Sequence, residues 1–209
     1  MAKTTGPLMS LSASGSIGGA LTFATTKGRQ YVRQLVTPSN PRTASQTGNR
    51  AMMRYLSQVW ATLTTGNKAT WNSQAAITNI SPFNAFVRAN MNRWTQFTSP
   101  GKVYPIPNTG IQCATPSFTP TGLVKEAKIV VTVAGALNQN WGAAIFRNPT
   151  GTFTPSRSNC VGVIQAASVA AFTFFDVNML PGTYFYDVKM FTTDGVFGAD
   201  IGEQSVVVT

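Results

Sequence analysis

The chain has 209 residues, of which 43% are hydrophobic and 11% are charged. Sixteen Lys and Arg against six Asp and Glu give a formal net charge of +10, and there is no His. The lack of His excludes nucleophilic catalysis with an imidazole base. The charged fraction is well below the roughly 25% of ordinary soluble domains, which favours a protein that packs among neighbours.

The charge is distributed unevenly along the chain. All six acidic residues lie at or beyond Glu126, so residues 1–125 carry twelve basic residues and no acid. Residues 126–209 carry four basic and six acidic residues. A basic surface that is merely solvated usually intersperses acids to limit self-repulsion. The charge therefore predicts a negatively charged partner for the N-terminal part of the chain.

The N-terminus is polar, and no apolar segment approaches the ~20 residues needed to cross a bilayer. We therefore expect a soluble protein made in a cytosol, with no membrane partner. Cys113 and Cys160 have neither a CxxC spacing nor a His nearby, which argues against a metal site. In a reducing compartment they are expected to be unpaired core residues.

The first part of the chain predicts an extended arm and then a β-hairpin. Residues 1–16 are rich in Gly and Ser and are expected to form the arm. Within residues 17–36, alternating side chains form two strands around a glycine-containing turn at Thr26–Arg29.

Three short helices are predicted next. Thr43 is the expected N-cap of the first, Thr64–Asn67 ends it, a shorter helix carries Trp71, and Ser81 followed by proline opens the third. Apolar residues at steps of three and four form one face of the first and third helices. Such short helices are not stable alone. The predicted unit is an α+β basic anchoring domain, hairpin plus helices, over residues 17–96.

Residues 97–122 contain five prolines and no helical period, and they predict a linker or extended connector. Beyond them the pattern becomes all β, and residues 123–209 predict an antiparallel sandwich of short strands separated by turn residues. The strand candidates are Ala127–Ala134, Trp141–Arg147, Cys160–Gln165, Ala170–Asp176, Gly182–Thr192 and Gln204–Thr209.

The chain offers little for catalysis. Paired carboxylates of the glycosidase kind would have to come from the acids of the β region. Asp176, Asp187, Asp194 and Asp200 lie at predicted strand ends or turns, where Asp commonly accepts backbone hydrogen bonds. Phosphate-binding loops are absent from the sequence. We therefore expect a non-enzymatic protein without cofactor or metal.

Binding is better supported, because basic residues cluster on the predicted hairpin, first helix and third helix. Arg outnumbers Lys there, and its planar guanidinium suits fixed contacts with carboxylate or phosphate. An acidic protein surface and nucleic acid both fit. Trp60 and Trp94 lie on apolar helical faces and are expected in the core rather than stacked on bases. The candidate partner-binding residues are Lys27, Arg29, Tyr31, Arg33, Arg42, Arg50, Arg54, Arg88 and Arg93.

The segment Leu180–Gly198, closing on residues 204–208, resembles the last two strands of a fibronectin type III domain. In that family a strand after a Pro-Gly-Thr segment places a tyrosine inward, and a glycine-bearing turn leads to the final strand. Trp141 lies later in the chain than the early-strand tryptophan of that family. The resemblance implies an immunoglobulin-like sandwich.

A second pattern combines KGRQYVR at 27–33, PSNPRTASQ at 38–46 and PFNAFVR at 82–88 with Arg50, Trp60 and Trp71 between them. It is similar to the pattern of small structural proteins encoded by tailed bacteriophages. That resemblance implies virion assembly, with the basic domain anchored to the capsid or tail and the β domain projecting outward.

We therefore expect a bacteriophage virion structural protein, a capsid decoration or head-fibre-type protein synthesised in the bacterial cytoplasm. Its expected partners are the major capsid protein or other virion proteins with acidic surfaces, and copies of itself within the particle. The alternatives are a tail or neck component of the virion and a DNA-binding protein associated with packaging. A carbohydrate-binding or carbohydrate-degrading module in the β domain is a more distant alternative.

Overall fold

The computed structural model describes residues 3–4, 13–27, 29–36, 43–107, 115–133, 140–165, 171–192 and 195–209. The chain divides into two compact units, residues 1–41 and residues 42–209. Arg42, Cys113 and Asp194 lie outside the described residues. None of the described helices is both long and apolar enough to cross a membrane.

The first unit is an antiparallel sheet whose strands, in spatial order, are β1 (Lys3–Thr4), β2 (Ala13–Ile17), β3 (Leu21–Thr26) and β4 (Arg29–Gln34). The predicted hairpin is confirmed: the register of β3 and β4 pairs Thr26 with Arg29. Lys27, between them, has φ +50°, the left-handed conformation that tight hairpin turns require at their first central residue. Residues 3–4 and 13–16 of the expected arm belong to this sheet, because β2 pairs with both β1 and β3.

The second unit begins with the helices α1 (Ala44–Thr62), α2 (Thr65–Ala69), α3 (Asn72–Thr78) and α4 (Pro82–Thr95). The predicted starts at Thr43 and Ser81 are confirmed. Ser81 Oγ accepts a hydrogen bond from the N–H of Asn84 at 3.2 Å, whereas the side chain of Thr43 makes no capping hydrogen bond. The described part of the chain has four α-helices rather than the expected three, and a short 3-10 helix at Arg157–Asn159. Thr64, whose hydroxyl accepts from the N–H of Asn67 at 3.3 Å, starts the extra α-helix.

Seven strands follow: β5 (Pro116–Leu123), β6 (Glu126–Val133), β7 (Asn140–Asn148), β8 (Cys160–Gln165), β9 (Ala171–Val177), β10 (Gly182–Thr192) and β11 (Gln204–Val208). Each of the six predicted strands is confirmed to within a residue or so at its ends. The additional strand is β5, which contains Pro116 and Pro120. It lies at the edge of its sheet, where proline is tolerated because its missing N–H faces outward.

The seven strands form two antiparallel sheets, ordered β5–β6–β9 and β11–β10–β7–β8. Side chains of both sheets meet in one apolar core, including Ile129 and Val131 of β6, Ile145 of β7, and Val188 and Met190 of β10. The C-terminal region is therefore an antiparallel β-sandwich, as the sequence predicts.

The helices cover the outer face of the β11–β10–β7–β8 sheet. Alternate residues of a strand face opposite sides, so Phe146 of β7 and Phe191 of β10 point away from the sandwich core. Both pack among the apolar residues of the helices. The rings of Phe191 and Tyr55 meet edge to face with centroids 5.3 Å apart. Helices and sandwich consequently share one compact unit, rather than separate domains over residues 17–96 and 123–209.

The expected linker is also part of this unit. The buried Asn90 side chain donates to the carbonyl of Gly101 at 3.1 Å and accepts from its N–H at 2.8 Å. Trp71 Nε1 donates to the carbonyl of Lys102 at 3.0 Å. Residues 97–107 are thus held against the helices, and β5 begins at Pro116. Prolines exclude helix and inner strand here, but they do not prevent tertiary packing.

The contact between α1 and β8 provides a test of this shared core. A Cβ on Gly48 would lie 2.7 Å from the carbonyl oxygen of Arg157 and 3.2 Å from Cβ of Cys160. We expect Gly48→Ala to lower the free energy of unfolding by about 1–3 kcal/mol through overpacking. Alanine is otherwise the better helix former by about 1 kcal/mol.

The matched control is Gly66→Ala in α2, where an added Cβ meets no atom within 4 Å. This variant should be as stable as the wild type or more so. Urea unfolding followed by circular dichroism measures both variants. If Gly48→Ala unfolded at the same urea concentration as Gly66→Ala, the close approach of α1 to β8 would be contradicted.

Candidate partner-binding surfaces

Four of the predicted partner-binding residues lie on the β3–β4 hairpin. Lys27 is exposed in the turn, and Arg29 begins β4. Tyr31 and Arg33 occupy alternate positions of β4, so they share one face of the strand, and both are exposed. The structure therefore brings these residues into one strand and its turn.

The opposite face of the same sheet is apolar and largely open. The register aligns Ile17 with Leu21, and Phe23 with Val32. Phe23 is buried, but Ile17, Leu21 and Val32 keep 41%, 44% and 45% of their surface exposed. Within the described part of residues 1–41, Phe23 is the one fully buried hydrophobic residue. The sheet thus presents apolar side chains that its own residues do not cover.

Arg50 and Arg54 lie one turn apart on the exposed side of α1. Together with Thr47, Ala51 and Val161 they line a groove of about 370 Å³ between the helix and β8. The apolar side chains of Ala51 and Val161 beside the two arginines suit an anionic ligand with an apolar portion. This groove brings together two of the predicted residues, as their spacing on a helix implies.

An adjoining groove, also lined by Thr47 and Val161, adds a third arginine. Arg147 of β7 forms an ion pair with Asp176 at 2.6 Å, and its guanidinium carbon lies 5.4 Å from the centre of the Tyr184 ring. Sequence reasoning missed Arg147, because it belongs to the acid-containing half of the chain. Only the packing of α1 beside the sandwich places it near the helix.

The two predicted arginines of α4 have different environments. Arg88 is exposed. The partly buried Arg93 donates through Nε to the carbonyl of Ser99 at 2.8 Å and through Nη2 to that of Gly195 at 2.9 Å. Burial lowers the pKa of Arg93 from its ordinary value. The Arg93 guanidinium thus joins α4 to two loops of its own unit, and partner binding by Arg93 stays a prediction.

The tryptophans on the helical faces belong to the core, as predicted. Trp94 is fully buried, and so is Trp71. Trp60 is partly buried and packs against Phe83 and Phe86, with ring centroids 5.7 and 5.2 Å away. These rings stabilise the helices and leave little aromatic surface for stacking on bases.

The polar groups buried in the sandwich have internal partners. Tyr186 Oη donates to Asp176 at 2.9 Å, and the N–H of Val188 donates to Asp187 at 2.6 Å. Burial raises the pKa of the Cys160 thiol to about 12, which keeps it neutral and unreactive. The described residues contain no cluster of three or more potential metal ligands among His, Cys, Asp and Glu.

Asp187 and Asp200 form a carboxyl pair, in which Asp187 lies within the inner strand β10 rather than at a strand end or turn. Burial, and then hydrogen bonding to Asp200, raise the pKa of Asp187 to about 7. The hydrogen bond from Asp187 lowers the pKa of Asp200, whose carboxylate also lies 3.3 Å from Lys189 Nζ. The pair therefore shares a proton at acidic pH.

No family model matches the chain, and no curated protein matches it. The soluble domain of PmoD from Methylocystis is 12% identical, over 43% of this chain and 77% of that one, with a TM-score of 0.32. A superoxide reductase (neelaredoxin) from Ignicoccus hospitalis is 13% identical, over 46% and 80%, with a TM-score of 0.31. Fibronectin(III)-like modules of CbhA from Clostridium thermocellum are 14% identical, over 45% and 93%, with a TM-score of 0.29. At such TM-scores these likenesses carry no conclusion for this chain.

The carboxyl pair predicts a pH dependence of stability. In the folded protein Asp187 holds a proton up to a pH of about 7, whereas in the unfolded chain it loses it near its ordinary pKa of 3.8. The folded state therefore binds more protons in this window, and the contribution of Asp187 to stability is lost as the pH rises from about 4 to about 7.

We expect Asp187→Asn to flatten this pH dependence and to raise the free energy of unfolding at pH 8 by about 1 kcal/mol or more. Thermal unfolding between pH 4 and 8 measures the effect. Asp200→Asn should move the dependence to lower pH, because it removes the neighbouring charge that raises the pKa of Asp187. If the stability of the wild type and that of Asp187→Asn changed with pH in parallel, the pairing of Asp187 with Asp200 would be contradicted.

Proposed function

We propose that this protein is a non-enzymatic structural component of a bacteriophage virion, of the capsid-decoration or head-fibre type, that binds an acidic surface of neighbouring virion proteins. The observation that carries the proposal is the N-terminal sheet, which exposes both its apolar face and a basic strand. Residues 42–209, in contrast, bury two apolar cores of their own. Each apolar side chain left in water forgoes about 1.5–3 kcal/mol of burial, which a partner surface would recover.

Charge indicates what kind of partner the sheet would meet. Residues 1–41 contain Lys3, Lys27, Arg29 and Arg33 and no acidic residue. An acidic protein surface neutralises this charge, and the apolar face favours protein over the phosphate backbone of DNA. The resemblance of residues 15–95 to phage structural proteins supports a virion as the setting.

The shared core changes which part is expected to be displayed. Because the helices cover one face of the sandwich, the body on display would be residues 42–209 as a whole, and the anchor would be the N-terminal sheet. We further propose that the sandwich is of the immunoglobulin-like, fibronectin type III kind. Tyr184 Oη donates to the carbonyl of Leu180 at 3.0 Å. This bond has the form of the tyrosine corner found in such sandwiches.

The proposal is tested on purified particles of the phage whose genome carries this sequence. Quantitative mass spectrometry should find the chain at a fixed copy number. Limited proteolysis should cut the free protein first within residues 1–41 and leave that segment intact in particles, because a partner then covers it. A chain that is absent from particles would contradict the proposal.

A charge reversal on the exposed strand provides the matched variant. Arg33→Glu should lower incorporation into particles about tenfold or more, since a lost charged contact is worth about 1.5–3 kcal/mol. Lys125→Glu makes the same charge change at an exposed turn of the other unit and should incorporate normally. Binding to duplex DNA that falls steeply with salt and is lost in Arg33→Glu would instead favour the DNA-binding alternative.

A further inference from the structure

We infer that β4 is a docking strand, to which an extended acidic segment of a partner protein adds by backbone pairing at the open edge of the N-terminal sheet. The inference rests on the proposed function for the presence of a protein partner. It adds the strand that is bound, the bonding that holds it and the charge of the segment.

The edge of the sheet is available for pairing. Within the described residues, β3 is the one strand that pairs with β4, and β4 ends the spatial order of the sheet. The N–H of Leu35 donates to the carbonyl of Ala20 at 2.7 Å, and the register pairs Thr22 with Arg33. Residues of an antiparallel pair alternate between bonded and non-bonded positions. Tyr31 and Arg33 therefore direct their backbone groups toward β3.

The intervening residues point their backbone the other way. By the same alternation, Gln30, Val32 and Gln34 direct their N–H and C=O groups toward the open edge. An incoming strand would find three donors and three acceptors at the spacing of a sheet ladder. This is the arrangement used when a peptide adds a strand to a sheet.

The described side chains at the end of β4 and just after it are exposed as well. Every residue from Tyr31 to Val36 is exposed, including Tyr31 at 40%, Val32 at 45% and Val36 at 68%. Proteins usually shorten, twist or cover such an edge, because it is a template for pairing with another chain. A partner strand and the surface that carries it would cover both the edge and the apolar face.

Charge decides between a second copy and a different partner. Lys27, Arg29 and Arg33 lie in this strand and its turn, and the first 125 residues contain no acid. Antiparallel pairing of two β4 strands would bring arginines of the two copies close together, which is destabilising. An acidic segment would instead place carboxylates beside them. Alternate positions of a strand are about 6.7 Å apart, so Asp or Glu at every second residue matches this spacing.

The test uses the full chain and a synthetic eight-residue peptide of alternating Glu and Val as the probe. Amide hydrogen exchange by NMR should slow about tenfold or more at Gln30, Val32 and Gln34 when the peptide is added. The amides of Tyr31 and Arg33, which already face β3, should change little. A peptide of alternating Lys and Val, and the Glu peptide N-methylated at every second residue, are the controls and should give no protection.

A backbone variant tests the same edge from the side of the protein. Val32→Pro removes an N–H that faces outward, so the β3–β4 ladder keeps its bonds while the docking bond is lost. It should abolish the protection by the Glu peptide, whereas Val32→Thr, which keeps the N–H, should retain it. If Val32→Pro also unfolds the hairpin, the N-methylated peptide with the wild-type chain decides the question.

The possible failures are distinguishable. Protection that is absent, or equal with the Lys peptide, would overturn the inference. So would a dimer of the free chain that Val32→Pro abolishes, because the occupant would then be a second copy. If the chain is present in particles but Val32→Pro is incorporated like the wild type, the pairing fails while the virion proposal stands. If the chain binds the Glu peptide but is absent from particles, the virion proposal fails while the pairing at β4 stands.

Discussion

The second unit depends on burial of the β11–β10–β7–β8 sheet from both sides. Alternate residues of its strands project into different cores: Ile145 and Met190 toward the second sheet, Phe146 and Phe191 toward the helices. Both sets are apolar, so exposing either face to water would cost about 25 cal/mol of folding free energy per Å² of apolar surface. The helices and the sheet therefore each bury apolar surface of the other, and the two regions form a single unit.

Buried polar groups complete that unit and explain why a proline-rich segment is ordered. Asn90 interrupts the apolar face of α4, and its amide forms two hydrogen bonds with Gly101. The partly buried Arg93 donates one hydrogen bond to each of the carbonyls of Ser99 and Gly195. A buried polar group without partners is costly, so these side chains and the loops around them stabilise one another.

The N-terminal sheet contrasts with this closed unit. Among the described residues, much of its apolar face stays exposed, and its last strand has a pairing partner along one edge alone. A sheet of this kind is stable when another surface covers it. Its basic charge indicates an acidic surface, which is the basis for proposing an assembly role. The same charge discourages the strand from pairing with a copy of itself.

Local patterns in the sequence determined the helices around Thr43 and Ser81, six strands of the sandwich and the basic, acid-free character of residues 1–125. These features depend on neighbouring residues, through side-chain period, capping and composition. Only the tertiary structure decided that β5 pairs despite its prolines, that Arg93 is used internally and that Arg147 lies beside α1. Each of these depends on contacts between residues far apart in the chain. Periodicity shows that a face is apolar, but not which other face will cover it.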